Sequence, residues 1–110
     1  MTDIKIYHGS GNVYKDLGFP DAEELQAKAF LVSRIMSIIK KKKWTQKKAA
    51  EELGVTQPKI SLLSRGRFSG FSIGKLINML NMLHQDIEII IKKEPSSKKQ
   101  RLGHVVVTYA

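Results

Sequence analysis

The sequence predicts a mainly α-helical fold: four to five helices followed by one or two C-terminal β-strands. Three observations carry this. Apolar residues keep helical spacing at Leu25, Ala29, Val32, Ile35, Met36 and Ile39, the pattern of one buried helix face. Three capping residues, Thr45, Thr56 and Ser72, alternate with Gly54 and Gly66, which marks short helices separated by tight turns. After Leu83 the period changes, and residues 86–93 (Asp-Ile-Glu-Ile-Ile-Ile-Lys-Lys) become β-branched.

Taken in order, residues 1–20 read as an irregular segment with a short strand at 3–7. Pro20 precedes Asp21, and Asp21 with Glu24 has capping-box spacing, so the first helix is expected to start there and run about five turns. Its last turn carries Lys40 to Lys43, which suits the negative pole of the helix dipole. Thr45 is placed to cap a second helix over 46–53 that Gly54 ends. Thr56 is placed to cap a third over 57–64 or 65, ended by Gly66, with Pro58 in the first turn where its missing N–H costs nothing. Ser72 opens a fourth helix to about Leu83. Residues 94–103 form a polar connection, and 105–109 read as a last strand. The expected organisation is an N-terminal segment 1–20, a helical domain 21–84 and a β extension 85–110.

The composition narrows the function. The chain has 110 residues, a net charge of +9 and no cysteine, so disulfide frameworks and thiolate chemistry are excluded. There is no apolar run near the ~18 residues of a membrane helix and no secretory leader at the start, so a cytoplasmic protein is expected. Between Lys40 and Lys75 ten basic residues face only Glu51 and Glu52, and a one-signed stretch of this kind points to a polyanion. Gly9-Ser-Gly11 lacks the lysine and the setting of a phosphate loop. His8, His84 and His104 are too scattered for a predicted metal site. No nucleophile–base arrangement stands out, so neither an enzyme nor a cofactor is expected.

The informative region is 45–67, two short helices joined by Leu53-Gly54-Val55. Ala49 and Ala50 give the small face that a crossing helix needs, Gly54 tolerates positive φ, and Leu53, Val55, Ile60 and Leu63 supply apolar anchors. Gln57, Lys59, Ser61, Ser64 and Arg65 are left to point outward, a polar set without an acid that can hydrogen-bond base edges in a major groove. Trp44 is expected to staple the first helix to the second, and Phe68 and Phe71 to pack in the core or an interface.

The pattern T-Q-x-x-x-A-x-x-L-G-V-x-x-x-x-I-S over 45–61 resembles the Cro/C1-type (XRE) helix-turn-helix domains of phage repressors, and the resemblance extends over about 23–83. It implies a DNA-binding fold in which Gln46 bonds a phosphate and supports Gln57, which opens recognition. Recognition then continues through Pro58, Lys59 and Ser61. Pro58 departs from the polar residue often found there: it cannot donate a hydrogen bond, though its ring can touch a thymine methyl. Thr45, Lys47, Thr56, Arg65 and Arg67 complete the expected DNA-contacting set, with Lys48 and Lys75 as further phosphate neighbours.

Residues 9–21, 68–72 and 86–90 look like the HigA-like antitoxin branch of that family. This implies a repressor of its own operon and a RelE/HigB-type toxin as partner; the alternatives are an XRE-family regulator with no toxin, or an antitoxin whose DNA binding is secondary. Residues 4–19, long and rich in aromatics for a segment that precedes a helix, or the C-terminal strand are the expected toxin surface. The isoleucines of 86–93 either complete the monomer's core or form a sheet across a two-fold axis. Exposed hairpin edges and half-site recognition favour the homodimer, through Ile87, Ile89 and Ile91.

Overall fold

The computed structural model describes residues 21–93 and 103–109. Among them are four helices: α1 (Ala22–Lys41), α2 (Gln46–Leu53), α3 (Gln57–Ser64) and α4 (Ile73–Met82). Helix α1 packs chiefly against α4, and α2 against α3, with α1–α3 and α2–α4 contacts closing the bundle. The shared core joins Ile35, Ile39, Ala49, Leu53, Ile60, Leu63, Leu76, Met79 and Leu80, with Phe68 and Phe71 from the loop between α3 and α4. Trp44 is half-buried against this core, and the Lys42 Nζ sits 5.3 Å from its ring centre.

The helix ends follow local chemistry with two exceptions, at Asp21 and Thr56. The Thr45 hydroxyl accepts from the Lys48 N–H at 3.0 Å, and the Ser72 hydroxyl accepts from the Lys75 N–H at 3.0 Å, each satisfying an orphan donor of the first turn. Asp21 stands at the N-cap of α1 but makes no side-chain capping bond, so the expected capping box does not form. The Glu24 carboxylate instead lies 3.1 Å from the Lys28 ammonium one turn on. Thr56 has N-cap backbone geometry, yet its side chain makes no capping bond either.

Three helices close in the double hydrogen-bond pattern of a Schellman turn, with the next-but-one N–H reaching back five residues. Trp44 N–H bonds the Ile39 carbonyl at 3.2 Å, Arg67 N–H the Leu62 carbonyl at 2.9 Å, and Gln85 N–H the Leu80 carbonyl at 3.0 Å. The residues carrying the required left-handed backbone are Lys43 (φ 58), Gly66 (φ 72) and His84 (φ 65). Helix α2 ends similarly at Gly54 (φ 65), where Val55 N–H bonds the Ala50 carbonyl at 3.1 Å.

Residues 103–109 lie along α1. Glu23 accepts the Val105 N–H at 3.1 Å and meets His104 Nδ1 at 2.6 Å, Val107 packs against the core, and the Arg34 guanidinium stands 3.9 Å above the Tyr109 ring centre. The contacts progress in the same direction on both segments. From Glu23 to Arg34 a helix rises about 16 Å, the distance five residues of extended chain cover. On α1 the stripe between these two clamps is Ala27 and Phe30, both buried yet absent from the expected single apolar face. Helix α1 is therefore covered on more than one side.

The described residues contain no strand, so the expected ladders at 86–93 and 105–109 are not formed within them. Ile89, Ile90 and Ile91 are 78%, 68% and 93% exposed and Ile87 is 37% exposed. These isoleucines therefore do not complete the monomer's core. The reason is that α4 ends at its turn through His84, and beyond it no other described segment pairs with the chain. The expected strand at 3–7, the whole of 1–20 and most of the 94–103 connection lie outside the described residues.

Candidate nucleic-acid interface

Helices α2 and α3 present one open face because Ala49 and Ala50 let α3 cross close over α2. Both are buried, as are Leu53, Ile60 and Leu63 on the inner side. Burying those anchors fixes the rotation of α3, so Gln57, Pro58 and Lys59 are exposed, and Ser61 and Leu62 are half-exposed.

Gln46, Gln57, Pro58, Ser61, Leu62 and Arg65 line a shallow open concavity of about 550 Å³ on this face. Its walls are tied together. Gln46 Nε2 donates to Ser64 Oγ at 3.3 Å, Ser64 Oγ donates to the Ser61 carbonyl at 2.7 Å, and Arg65 Nε donates to that same carbonyl at 3.3 Å. The first turn of α2 is thereby linked to the last turn of α3. The resemblance led to Gln46 supporting Gln57; its hydrogen-bond partner here is Ser64, because the end of α3 rather than its start comes within reach of that amide.

The lining contains no acid, and its one formal charge is Arg65. Around it Lys47, Lys59 and Arg67 are exposed. Lys48 pairs with Glu52 at 3.1 Å, both well exposed, which moderates its charge without removing it. Of the expected DNA-contacting residues, Gln46, Gln57, Pro58, Ser61 and Arg65 come together in one surface. Thr45 caps α2 as an acceptor, which leaves its hydroxyl hydrogen to donate, and Thr45, Lys47, Thr56, Lys59 and Arg67 lie outside the lining. Ile87, Ile89 and Ile91 belong to the segment beyond α4.

One residue of this face was missed in the sequence. Leu62 is an apolar side chain on the outward register of α3, although it also touches the core. Its signal was available: Ile60 and Leu63 already fill the inner stripe of a two-turn helix, leaving Leu62 in excess. Ser64 was placed outward, but its bond to Gln46 depends on the crossing of two helices and had no local sign.

The arrangement can offer amide, guanidinium and hydroxyl groups to a polyanion's polar edge while flanking lysines meet its charge. Among the described residues no cluster of His, Cys, Asp and Glu is suited to hold a metal, and no helix is long and apolar enough to cross a membrane.

Comparison with known proteins is consistent with this geometry. A family described as a helix-turn-helix domain matches residues 13–92. A solved structure assigned to the XRE family of transcriptional regulators is similar at 41% sequence identity and a TM-score of 0.70, covering 80% of this chain and 99% of that one. No curated protein matches the chain. The matched span and the level of identity together establish that the chain belongs to the XRE family of helix-turn-helix proteins.

Proposed function

We propose that this chain is a sequence-specific DNA-binding transcriptional regulator that acts as a dimeric repressor in the cytoplasm, without cofactor or catalytic role. Helix α3 enters the major groove, where Gln57, Ser61 and Arg65 meet base edges and Lys59 the adjoining backbone. Thr45, Gln46, Lys47, Thr56 and Arg67 hold phosphates and set the register. The observation that carries the reading is the convergence of Gln46, Gln57, Ser61 and Arg65 on one acid-free open surface. Ile87, Ile89 and Ile91 pair with their counterparts across a two-fold axis. Their exposure on a β-branched segment supports this, since such an edge is sticky when left uncovered.

The regulated operon in this proposal is the chain's own, shared with a RelE/HigB-type toxin that the protein neutralises. Support for this part comes from the likeness of residues 9–21, 68–72 and 86–90 to HigA-like antitoxins. Co-expression with a toxin-like neighbour tests it: rescue of growth and a co-purifying complex are expected, and toxicity undiminished by the antitoxin would overturn it.

Titration of a fluorescent duplex from upstream of the chain's own reading frame, beside random DNA at two salt concentrations, tests the DNA reading. A preference that persists at the higher salt is expected. Equal binding that salt erases for both duplexes would reduce the surface to a non-specific polyanion site.

A further inference from the structure

We propose that the α3 face reads thymine through its 5-methyl group, with Pro58 and Leu62 as the apolar floor that receives it. This inference rests on the DNA reading above and names the base chemistry of the same surface. Pro58 and Leu62 are one helical turn apart, so they lie together on one face of α3, and both line the open concavity. Pro58 is exposed and Leu62 half-exposed. Neither has a side-chain donor or acceptor, so at this spot the surface has nothing to offer a polar base edge.

In the major groove only thymine presents a methyl group; adenine, guanine and cytosine are marked there by hydrogen-bonding groups, with no apolar group larger than a C–H. Setting Leu62 and Pro58 against those atoms would desolvate them without a partner, which is unfavourable. The same two side chains gain by covering a methyl. The surroundings suit the polyanion that the DNA reading supplies: the concavity has Arg65 and no acid, with Lys59 and Arg67 exposed beside it on α3 and in the turn after it. Gln57 and Arg65, at opposite ends of α3, suit an adenine and a guanine edge on either side of the apolar floor.

The test begins by enriching bound duplexes from a random library with the full chain. Each thymine of the enriched sequence is then replaced singly by deoxyuridine, which keeps the base pair and removes only the methyl. At one or more positions affinity should fall roughly fourfold, the value of one buried methyl group. That loss should disappear with Pro58→Ala and Leu62→Ala proteins, which should bind thymine and uracil duplexes alike. Pro58→Ala alters an exposed first-turn position, so it remains informative if Leu62→Ala fails to fold. Unchanged affinity for every deoxyuridine duplex, with sequence preference intact, would overturn methyl reading alone. Failure to enrich any sequence would overturn the DNA reading, and this inference with it.

Discussion

Gln46 Nε2 donates to Ser64 Oγ across 3.3 Å, joining the first turn of α2 to the last turn of α3. The two residues are 18 positions apart and both exposed, so the bond adds little to stability and much to orientation. It holds the Gln46 amide at the edge of the open α3 face while Ser64 itself donates to the Ser61 carbonyl.

Ser64→Ala is expected to leave the melting behaviour within about 0.5 kcal/mol, as surface substitutions do, yet to weaken specific DNA binding several-fold. Fluorescence anisotropy beside a thermal melt checks this. Unchanged affinity would mean that the Gln46 amide needs no positioning by Ser64.

Lys43 and His84 occupy left-handed backbone at φ 58 and φ 65, where a Cβ costs roughly 1–2 kcal/mol. His84→Gly should therefore stabilise the fold by about 0.5–1 kcal/mol after the added flexibility of glycine in the unfolded chain is counted. Lys43→Gly should act similarly. Denaturant titration measures both, and a lowered midpoint would show that the side chains contribute more than the backbone strain costs.

Glu23→Ala removes the carboxylate that holds the Val105 N–H and faces His104. Because these groups are partly exposed, the loss is expected at no more than about 1 kcal/mol, with its effect confined to 103–109. Hydrogen exchange should show faster exchange of the Val105 amide and little change in the core of α4. Equal acceleration throughout would mean that the C-terminal segment is integral to the bundle.

Much of this fold is legible in the sequence because its helices are short and punctuated. Thr45 and Ser72 act as caps where local chemistry places them, and Ala49, Leu53, Ile60 and Leu63 turn inward as their spacing requires. The features that were not legible depend on partners. Asp21 and Glu24 have capping-box spacing, but Lys28 one turn later takes the carboxylate. Residues 86–93 have strand propensity, while a ladder needs a second strand that the described part of the chain does not supply. The seat of 103–109 on α1 joins Glu23 to His104 across 81 residues, far beyond the reach of periodicity.

Ile89→Asp combined with Ile91→Asp tests the dimer. Both side chains are largely exposed, at 78% and 93%, so the monomer's fold should survive the change. Sedimentation should move from dimer to monomer, with specific DNA binding falling at least tenfold. An unaltered dimer would place the interface elsewhere.

The most direct measurement compares Gln57→Ala and Lys47→Ala on an enriched operator duplex and on random DNA over a range of salt. Gln57→Ala is expected to lose discrimination worth about 1–3 kcal/mol on the operator while binding random DNA as before. Lys47→Ala should weaken both duplexes alike and make the salt slope shallower by about one. Equal loss on both duplexes for Gln57→Ala, in a protein that still melts normally, would contradict the assignment of α3 as the helix that reads sequence.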